Sequence, residues 1–232
     1  MKKTILALLL SGLSVVSYAN VEQLKKTVTQ QYPELALQNI QATEMKGLYS
    51  ATIEDQIVYL TEDGQYLLAG TAVRLKDQYN LSKELSLKYN RVDWKSLDLN
   101  DAIKVVKGNG SRQLAVFSDP NCSYCKQLET ELKKLDNVTI YTFVLPLKPQ
   151  SVAPAKQVFC ESSPAMAWEN FIVRGVQPKS TKSCANPVER NLALAQRLGL
   201  HGTPAIIFSN GSKVMGALPA AEIEKIWKTL GL

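Results

Sequence analysis

The sequence lacks any run of basic residues, although its formal net charge is +6. Its 27 Lys and Arg residues are spread along the chain among 21 Asp and Glu residues. Proteins that bind nucleic acids usually cluster their basic residues on one face or along one helix. The scattered charge therefore indicates a solvated surface and argues against a nucleic-acid partner.

Long apolar runs are also missing beyond the first residues of the chain. A transmembrane helix needs about 20 mostly apolar residues, and no later segment reaches that length. Internal repeats and low-complexity tracts are absent as well. With 45% hydrophobic residues among 232, the chain has ample material for a core. Its length suits two small domains.

The first residues have the three-part pattern of a secretory signal peptide. Lys2 and Lys3 precede an apolar run over 5–10, and small residues stand at Ser17 and Ala19. A membrane anchor is the alternative, but serine and glycine interrupt the stretch from position 11 onward. We predict a leader over 1–19 that is cut after Ala19, leaving a soluble exported protein. Losing Lys2 and Lys3 would lower the net charge from +6 to +4.

Residues 20–80 predict a small α+β domain. Apolar residues recur at helical spacing from Val21, and Asp63-Gly64 favours a hairpin turn between two strands. So small a domain has little core of its own, and a second copy that covered its sheet would stabilise it. We therefore predict a dimerisation domain. The strands are expected over 47–53, 56–61 and 65–70.

Residues 81–110 are mostly polar and are predicted to be a linker. Asn100 has a side chain suited to the N-cap of a helix, and Gly108 is a residue at which helices often stop. The linker is therefore expected to end in a helix over 101–107.

Residues 111–232 predict an α/β domain. The order of elements is strand, helix, strand, long helical stretch, hairpin and helix, which is a βαβ unit followed by a ββα unit. The first strand, over 113–118, is a continuous apolar run of the kind found in buried sheets. The other strands are expected over 138–145, 205–208 and 213–215, and the helices after Cys122, within 149–200 and over 220–230.

Cys122-Ser123-Tyr124-Cys125 lies between that first strand and the helix after it, which is the context of a redox-active pair. Cys122 falls near the helix N-terminus, where free N–H groups and the helix dipole favour a thiolate. The thiolate is the attacking species. Cys125, one turn further on, is expected to resolve the mixed disulfide.

Two other roles for these cysteines are less consistent with the sequence. A structural disulfide across so short a loop would remove little chain entropy. A zinc site would need Cys160 and Cys184 as a second pair of close ligands, but they are 24 positions apart. We expect neither a metal nor any other cofactor.

Cys160 and Cys184 lie in the helical stretch, away from the motif. In an oxidising compartment we expect them to bond to each other. The closed loop would stabilise the fold by roughly 3 kcal/mol. A second redox shuttle is the alternative, but neither thiol has a nearby cysteine or a clear helix start.

Four further residues are candidates for the site, and three of them are remote from the motif in sequence. Thr203-Pro204 precedes a strand, and a cis bond there would expose backbone groups that an extended substrate can pair with. His201 is the single histidine, and because histidine is the side chain that commonly changes charge in the physiological pH range, it would tune Cys122 if it lay close. Tyr124 either packs over the sulfurs and contacts substrate or only shapes the surface. Asp119 is expected to be a turn residue.

Together these residues resemble the DsbC/DsbG family of bacterial periplasmic proteins, which have a thioredoxin-like fold. The resemblance covers nearly the whole mature chain. It rests on Phe117–Cys125, the hairpin at Tyr59–Gly64, the Cys160 and Cys184 pair, His201–Ala205 and Phe208–Gly211.

The resemblance implies a periplasmic homodimer with a thioredoxin-like catalytic domain, a helical insertion and a linker helix. Cys122 would attack incorrect disulfides in misfolded exported proteins, Cys125 would release trapped intermediates, and Thr203 and Pro204 would match the family's cis-proline position. A membrane reductase of the DsbD type would keep the pair reduced. Ser123 replaces the glycine of the isomerase branch, and in this family the two residues between the cysteines tune the redox properties of the pair. Asp119-Pro120 resembles the DsbG branch. A DsbG-like reductase that protects single thiols and a cysteine-independent holdase chaperone therefore stay open as alternatives.

Overall fold

The computed structural model describes residues 15–180 and 183–232, with side chains from Asn20 onward. The leader predicted over 1–19 lies outside the described residues, apart from the backbone of 15–19. The chain divides into two compact units between Tyr89 and Asn90. No helix among the described residues is long and apolar enough to cross a membrane.

The first unit is a helix packed on a four-stranded antiparallel sheet. Leu24 and Val28 lie four positions apart on one face of the helix, and both are buried against the sheet. Gly64 forms the predicted turn at a φ of +69°, and a Cβ there would come within 3.0 Å of Val28. Glycine therefore allows the turn to lie directly against the helix. The elements are α1 (Val15–Gln31), β1 (Gln38–Ala42), β2 (Leu48–Ile53), β3 (Gln56–Thr61) and β4 (Leu67–Ala69), with sheet order β1-β2-β3-β4.

Two short strands and a helix complete the first unit. They are β5 (Val73–Arg74), β6 (Tyr79–Asn80) and α2 (Leu81–Tyr89). Leu85 and Leu87 are the buried residues of α2, and Ser82 in its first turn hydrogen-bonds to the Tyr59 hydroxyl at 2.6 Å. The first nine residues of the predicted linker over 81–110 thus form helix α2, which belongs to the first unit.

The second unit has a five-stranded sheet with helices around it. The sheet order is β11-β10-β8-β9-β7, and β8 and β9 are parallel while the other pairs are antiparallel. Every residue of β9 is buried, as its continuous apolar character predicts. The elements are β7 (Ile103–Lys107), β8 (Arg112–Ser118), α3 (Ser123–Leu132), β9 (Val138–Val144), α4 (Pro149–Cys160), α5 (Pro164–Arg174), α6 (Val188–Arg197), β10 (Ala205–Phe208), β11 (Lys213–Met215) and α7 (Ala220–Leu230).

The prediction of a helix over 101–107 is wrong, because residues 103–107 of this segment form strand β7. Residues 103–107 pair antiparallel with β9 along their whole length. Three of the five are β-branched, which favours a pleated strand over a helix. The prediction of Asn100 as an N-cap residue is also wrong. Asp98 is the N-cap residue here, and the element that it caps is a short 3-10 turn over Leu99–Asp101.

The segment before β7 belongs to the second unit, which starts at Asn90 instead of the predicted 111. Val92 N donates to Gly211 O at 2.9 Å, and Lys213 N donates to Asn90 O at 3.0 Å. Leu97 is buried in the core under the sheet. These contacts make residues 90–102 part of the domain's packing.

Helices α4, α5 and α6 form the predicted helical insertion, and a disulfide joins Cys160 to Cys184 with a Cα–Cα distance of 5.6 Å. We expect the double variant Cys160→Ala/Cys184→Ala to lose about 3 kcal/mol of unfolding free energy, because the bond restricts a loop of about 25 residues in the unfolded chain. Denaturant unfolding would measure this loss.

The matching control is the unaltered chain, and in both proteins the accessible thiol of Cys122 is alkylated before unfolding. If the double variant and this control unfold at the same denaturant concentration, the disulfide does not stabilise the fold.

Candidate active site

The two cysteines of the motif occupy different environments at the start of α3. Cys122 is the N-cap residue, with extended backbone at φ −94° and ψ 122°, and it is partly buried. Cys125 lies in the first turn and is completely buried. Both are free thiols. Only Cys122 is therefore open to an incoming disulfide.

Local electrostatics reinforce this difference. Burial raises the pKa of Cys122, but hydrogen bonds from the Cys125 and Tyr124 N–H groups, the Cys125 thiol and Thr203 outweigh it, so the net pKa lies below the usual value. Burial raises the pKa of Cys125 to about 12, although Ser118, Thr203 and the Asp119 N–H partly oppose it. Because the thiolate is the nucleophile, Cys122 is the residue equipped to attack.

The loop before β10 brings Thr203 to these sulfurs. The Cys122 Sγ donates to the Thr203 carbonyl oxygen at 3.5 Å, and the Thr203–Pro204 bond is cis. Ala205, the next residue, pairs with Phe117 of β8. The sheet thus holds this loop beside the cysteines.

The other predicted site residues lie at the surface around the motif. Ser123 and Tyr124 are exposed on the first turn of α3, and His201 is exposed two residues before Thr203. The structure unites Cys122, Cys125 and Thr203-Pro204, while His201 is not enclosed with the sulfurs.

Asp119 has a larger role than the predicted turn. It is buried, and its carboxylate accepts four hydrogen bonds: Asn121 N and Ser151 Oγ at 2.7 Å each, Leu147 N at 2.7 Å and Lys148 N at 3.2 Å. Its main-chain oxygen also accepts the Cys122 N–H at 3.1 Å. Asp119 thus ties the loop carrying Cys122 to the loop before α4 and to the first turn of α4.

Glu129, one turn beyond Cys125, is a second carboxylate that sequence reasoning missed. Burial raises its pKa to about 7, although the Trp168 Nε1–H donated at 2.8 Å and the charge of Lys133 act in the opposite direction. Helical spacing placed this position near the core face, but a glutamate there predicts solvent exposure. Glu129 is partly buried, and its donor Trp168 on α5 is distant in sequence.

We expect Glu129→Gln to stabilise the protein above neutral pH. A carboxyl whose pKa rises from 4.5 to about 7 on folding keeps its full stability contribution below pH 4.5 and loses it as the pH rises through 7. Glutamine retains an acceptor for Trp168 without the buried charge. The gain should be about 2–3 kcal/mol at alkaline pH and near zero at acid pH.

Denaturant unfolding across this pH range would measure the effect. Glu131→Gln is the matched control on the same helix, because the hydrogen bond from Lys134 lowers the pKa of Glu131. A Glu129→Gln variant that gains no stability at alkaline pH would show that the carboxylate is well solvated.

No group of three or more His, Cys, Asp or Glu residues in the described part of the chain is arranged to hold a metal ion.

Comparison with known proteins agrees with this architecture. Residues 99–231 match the model of a thioredoxin-like domain, and residues 15–83 match that of the disulfide bond isomerase protein N-terminal domain. The probable thiol:disulfide interchange protein DsbC of Bordetella parapertussis is 41% identical over 179 residues, which cover 77% of this chain and 64% of that protein. The corresponding protein of Pasteurella multocida is 26% identical, covering 96% of this chain and 97% of its own length.

Among solved structures, a disulfide interchange protein from Neisseria gonorrhoeae is 38% identical, with a TM-score of 0.55. The match covers 57% of this chain and 97% of that structure. It therefore concerns mainly one domain, whereas the two family models together account for both units. With its thioredoxin-like domain behind a disulfide bond isomerase N-terminal domain, the chain belongs to the DsbC family of thiol:disulfide interchange proteins.

Proposed function

We propose that this chain is a periplasmic thiol:disulfide interchange protein that isomerises and reduces incorrect disulfides in exported proteins. The observation that carries the proposal is the contrast between the two thiols. Cys122 is accessible and has a lowered pKa, whereas Cys125 is buried with a pKa of about 12. Such a pair attacks readily and resolves slowly, which leaves time for a mixed disulfide to rearrange.

Each step conserves electrons between protein and substrate. The Cys122 thiolate attacks one sulfur of a substrate disulfide, forms a mixed disulfide and releases the other substrate sulfur as a thiolate. If that or another substrate thiolate then attacks the mixed disulfide, Cys122 is regenerated and the substrate is isomerised. If Cys125 loses its proton and attacks Cys122 Sγ, the Cys122–substrate bond breaks, the pair is oxidised and the substrate is reduced.

The surface around Cys122 suits an extended, partly apolar polypeptide. Thr203 and Pro204 place main-chain groups beside Cys122, with which a substrate strand can pair. Tyr124, Leu147 and Met215 are exposed apolar side chains. Met215 lies close to Gly202, since a Cβ there would be 4.0 Å from its Cε. We assign substrate contact to Thr203, Pro204 and Tyr124.

Homodimerisation through the first unit is part of the proposal. Strand β4 is an edge of its sheet, and all three of its residues are exposed. An exposed apolar edge strand readily pairs with another chain. The match to the disulfide bond isomerase N-terminal domain supports the same role.

We expect Leu68→Lys to weaken the dimer, because it places a charge on this edge strand. The matched control is Val106→Lys on β7, an edge strand of the five-stranded sheet. Leu68 is 46% exposed and Val106 is 54% exposed, so the two substitutions place a lysine in similar surroundings. Light scattering across a dilution series would give the mass of each variant. If Leu68→Lys stays dimeric at every concentration at which the unaltered chain does, the interface lies elsewhere.

The proposed compartment follows from the basic and apolar residues of the leader over 1–19 and from the disulfide between Cys160 and Cys184. Repeated isomerisation requires Cys122 and Cys125 to be reduced. We therefore assign a membrane thiol reductase of the DsbD type as the partner that reduces them.

The experiment that tests the function compares two assays on the mature chain. We expect the chain to accelerate recovery of a scrambled multi-disulfide protein, and to be less effective at oxidising a reduced dithiol peptide. Unscrambling no faster than the buffer alone would contradict the proposal. Blocking Cys122 by alkylation identifies a holdase, since a chaperone would still suppress aggregation. Activity confined to single modified thiols would instead indicate a DsbG-like reductase.

A further inference from the structure

Ser118 has a buried hydroxyl with no hydrogen-bond partner. The residue is 1% exposed, and its Oγ is one of four buried side-chain polar atoms in the described residues without a partner. Leaving such a group unpaired costs about 1–3 kcal/mol. Unpaired buried groups in native structures therefore call for an explanation, and a catalytic role is one of the recognised ones.

The position of Ser118 places this hydroxyl on the face of the sheet where Cys125 packs. Side chains along a strand alternate between the two faces of the sheet. Ala115 and Phe117 of β8 pack with Phe143 on one face, so Ser118 points to the opposite face. Its partner in the strand register is Val144, which packs on that face in the same core cluster as Cys125.

The hydroxyl and the sulfur interact when Cys125 ionises. Ser118 is the first of the groups that oppose the effect of burial on the pKa of Cys125. Thr203 and the Asp119 N–H act in the same direction, but the side chains of the core cluster that includes Cys125 are mainly apolar, among them Ala155, Val158 and Trp168. A thiolate formed there is removed from water, and burial without a partner is costly for a charged group.

We propose that the Ser118 hydroxyl is the hydrogen-bond donor reserved for the Cys125 thiolate in the step that resolves the mixed disulfide. This inference rests on the proposed function. In the step, Cys125 Sγ releases its proton, which ends on the departing substrate sulfur. The Cys125–Cys122 bond forms as the Cys122–substrate bond breaks, so the substrate gains the two electrons that the pair loses. Ser118 donates a hydrogen bond throughout and keeps its own proton.

The test follows the two sulfur reactions separately. One equivalent of an aromatic disulfide whose thiolate is coloured is mixed with the fully reduced mature chain. Attack by Cys122 releases the first coloured thiolate, and attack by Cys125 on the mixed disulfide releases the second. Stopped-flow absorbance resolves the two phases.

We expect Ser118→Ala to slow the second phase about three- to tenfold at neutral pH. Losing a hydrogen bond to a charged group lowers the fraction of Cys125 present as thiolate about 10- to 100-fold. A less acidic thiol forms a more nucleophilic thiolate, and this recovers about half of the lost rate on a logarithmic scale. The first phase should stay within about twofold, because Cys122 keeps its hydrogen bonds.

The matched control is Ser50→Ala. Ser50 is also buried, at 2% exposure, and its hydroxyl also lacks a partner, but it lies on β2 in the other unit. It should leave both phases unchanged. If Ser118→Ala is poorly folded, Ser118→Thr and Ser118→Val replace it. These two have the same shape and differ in the hydroxyl, so only Ser118→Val should slow the second phase.

Several outcomes would overturn the inference. The hydroxyl does not act on Cys125 if Ser118→Ala leaves the second phase within about twofold of the unaltered chain or slows both phases equally. The same conclusion follows if Ser50→Ala also slows the second phase, or if Ser118→Thr and Ser118→Val react at identical rates. If the unaltered chain releases only one coloured thiolate, the fault lies with the proposed function, since Cys125 then does not resolve the mixed disulfide.

Discussion

Replacing Cys122 with alanine is expected to lower unscrambling of a multi-disulfide substrate to the uncatalysed rate, whereas Cys125→Ala should trap the substrate. Cys122 is the accessible thiol, and its pKa is lowered by the N–H groups at the start of α3. Cys125 is fully buried and its pKa is about 12. Without Cys122 the buried thiol cannot meet a substrate disulfide. Without Cys125 the mixed disulfide is left to the substrate's own thiols.

Non-reducing electrophoresis after acid quenching would measure the trapped species. Cys125→Ala should give a band at the summed mass of protein and substrate that disappears on reduction, and Cys122→Ala should give none. The double variant controls for non-covalent association. Equal amounts of the adduct from both single variants would refute the assignment of Cys122 as the nucleophile.

Some features of this site could be predicted because they depend on nearby residues. Cys122 and Cys125 are three positions apart, and the buried strand and the helix around them each show their own periodicity. The turn at Asp63-Gly64 is equally local, since its conformation depends on a glycine with positive φ. Thr203 is remote in sequence, but its position just before a strand indicated where it would lie.

Other features depend on partners that the local sequence does not reveal. Residues 103–107 form a strand because β9 offers them an edge to pair with. A segment this short can fit either a strand or a helix when considered alone. Glu129 is partly buried, and its hydrogen-bond donor Trp168 belongs to a different helix. The sequence around Ser118 shows a polar residue ending an apolar strand, and only the fold shows that its hydroxyl is enclosed with Cys125.

Asp119 is the clearest case of a remote determinant. Three of the groups that donate to its carboxylate lie 28 to 32 positions along the chain. In sequence it is an aspartate before a proline, which is a common turn pattern. In the structure it joins the end of β8, the loop carrying Cys122 and the start of α4. The geometry of the catalytic loop is therefore coupled to the helical insertion.

Replacing Asp119 with alanine should consequently destabilise the protein by about 3–5 kcal/mol. The substitution leaves the N–H groups of Asn121, Leu147 and Lys148 and the hydroxyl of Ser151 without their acceptor. Each buried donor left unpaired costs about 1–3 kcal/mol, and water entering the gap can offset part of the sum. Asp119→Asn should also be destabilising, because its amide has one oxygen and turns an N–H group toward two of the four donors.

Denaturant unfolding at neutral pH would measure both variants against Asp98→Ala. Asp98 lies in the same unit and its carboxylate also accepts a backbone N–H, that of Asn100 at 3.1 Å, but it is exposed. Losing an exposed cap of this kind costs about 1 kcal/mol. If Asp119→Ala costs no more than Asp98→Ala, the carboxylate does not hold the loops together. Its hydrogen bonds would then be a consequence of the fold and would not stabilise it.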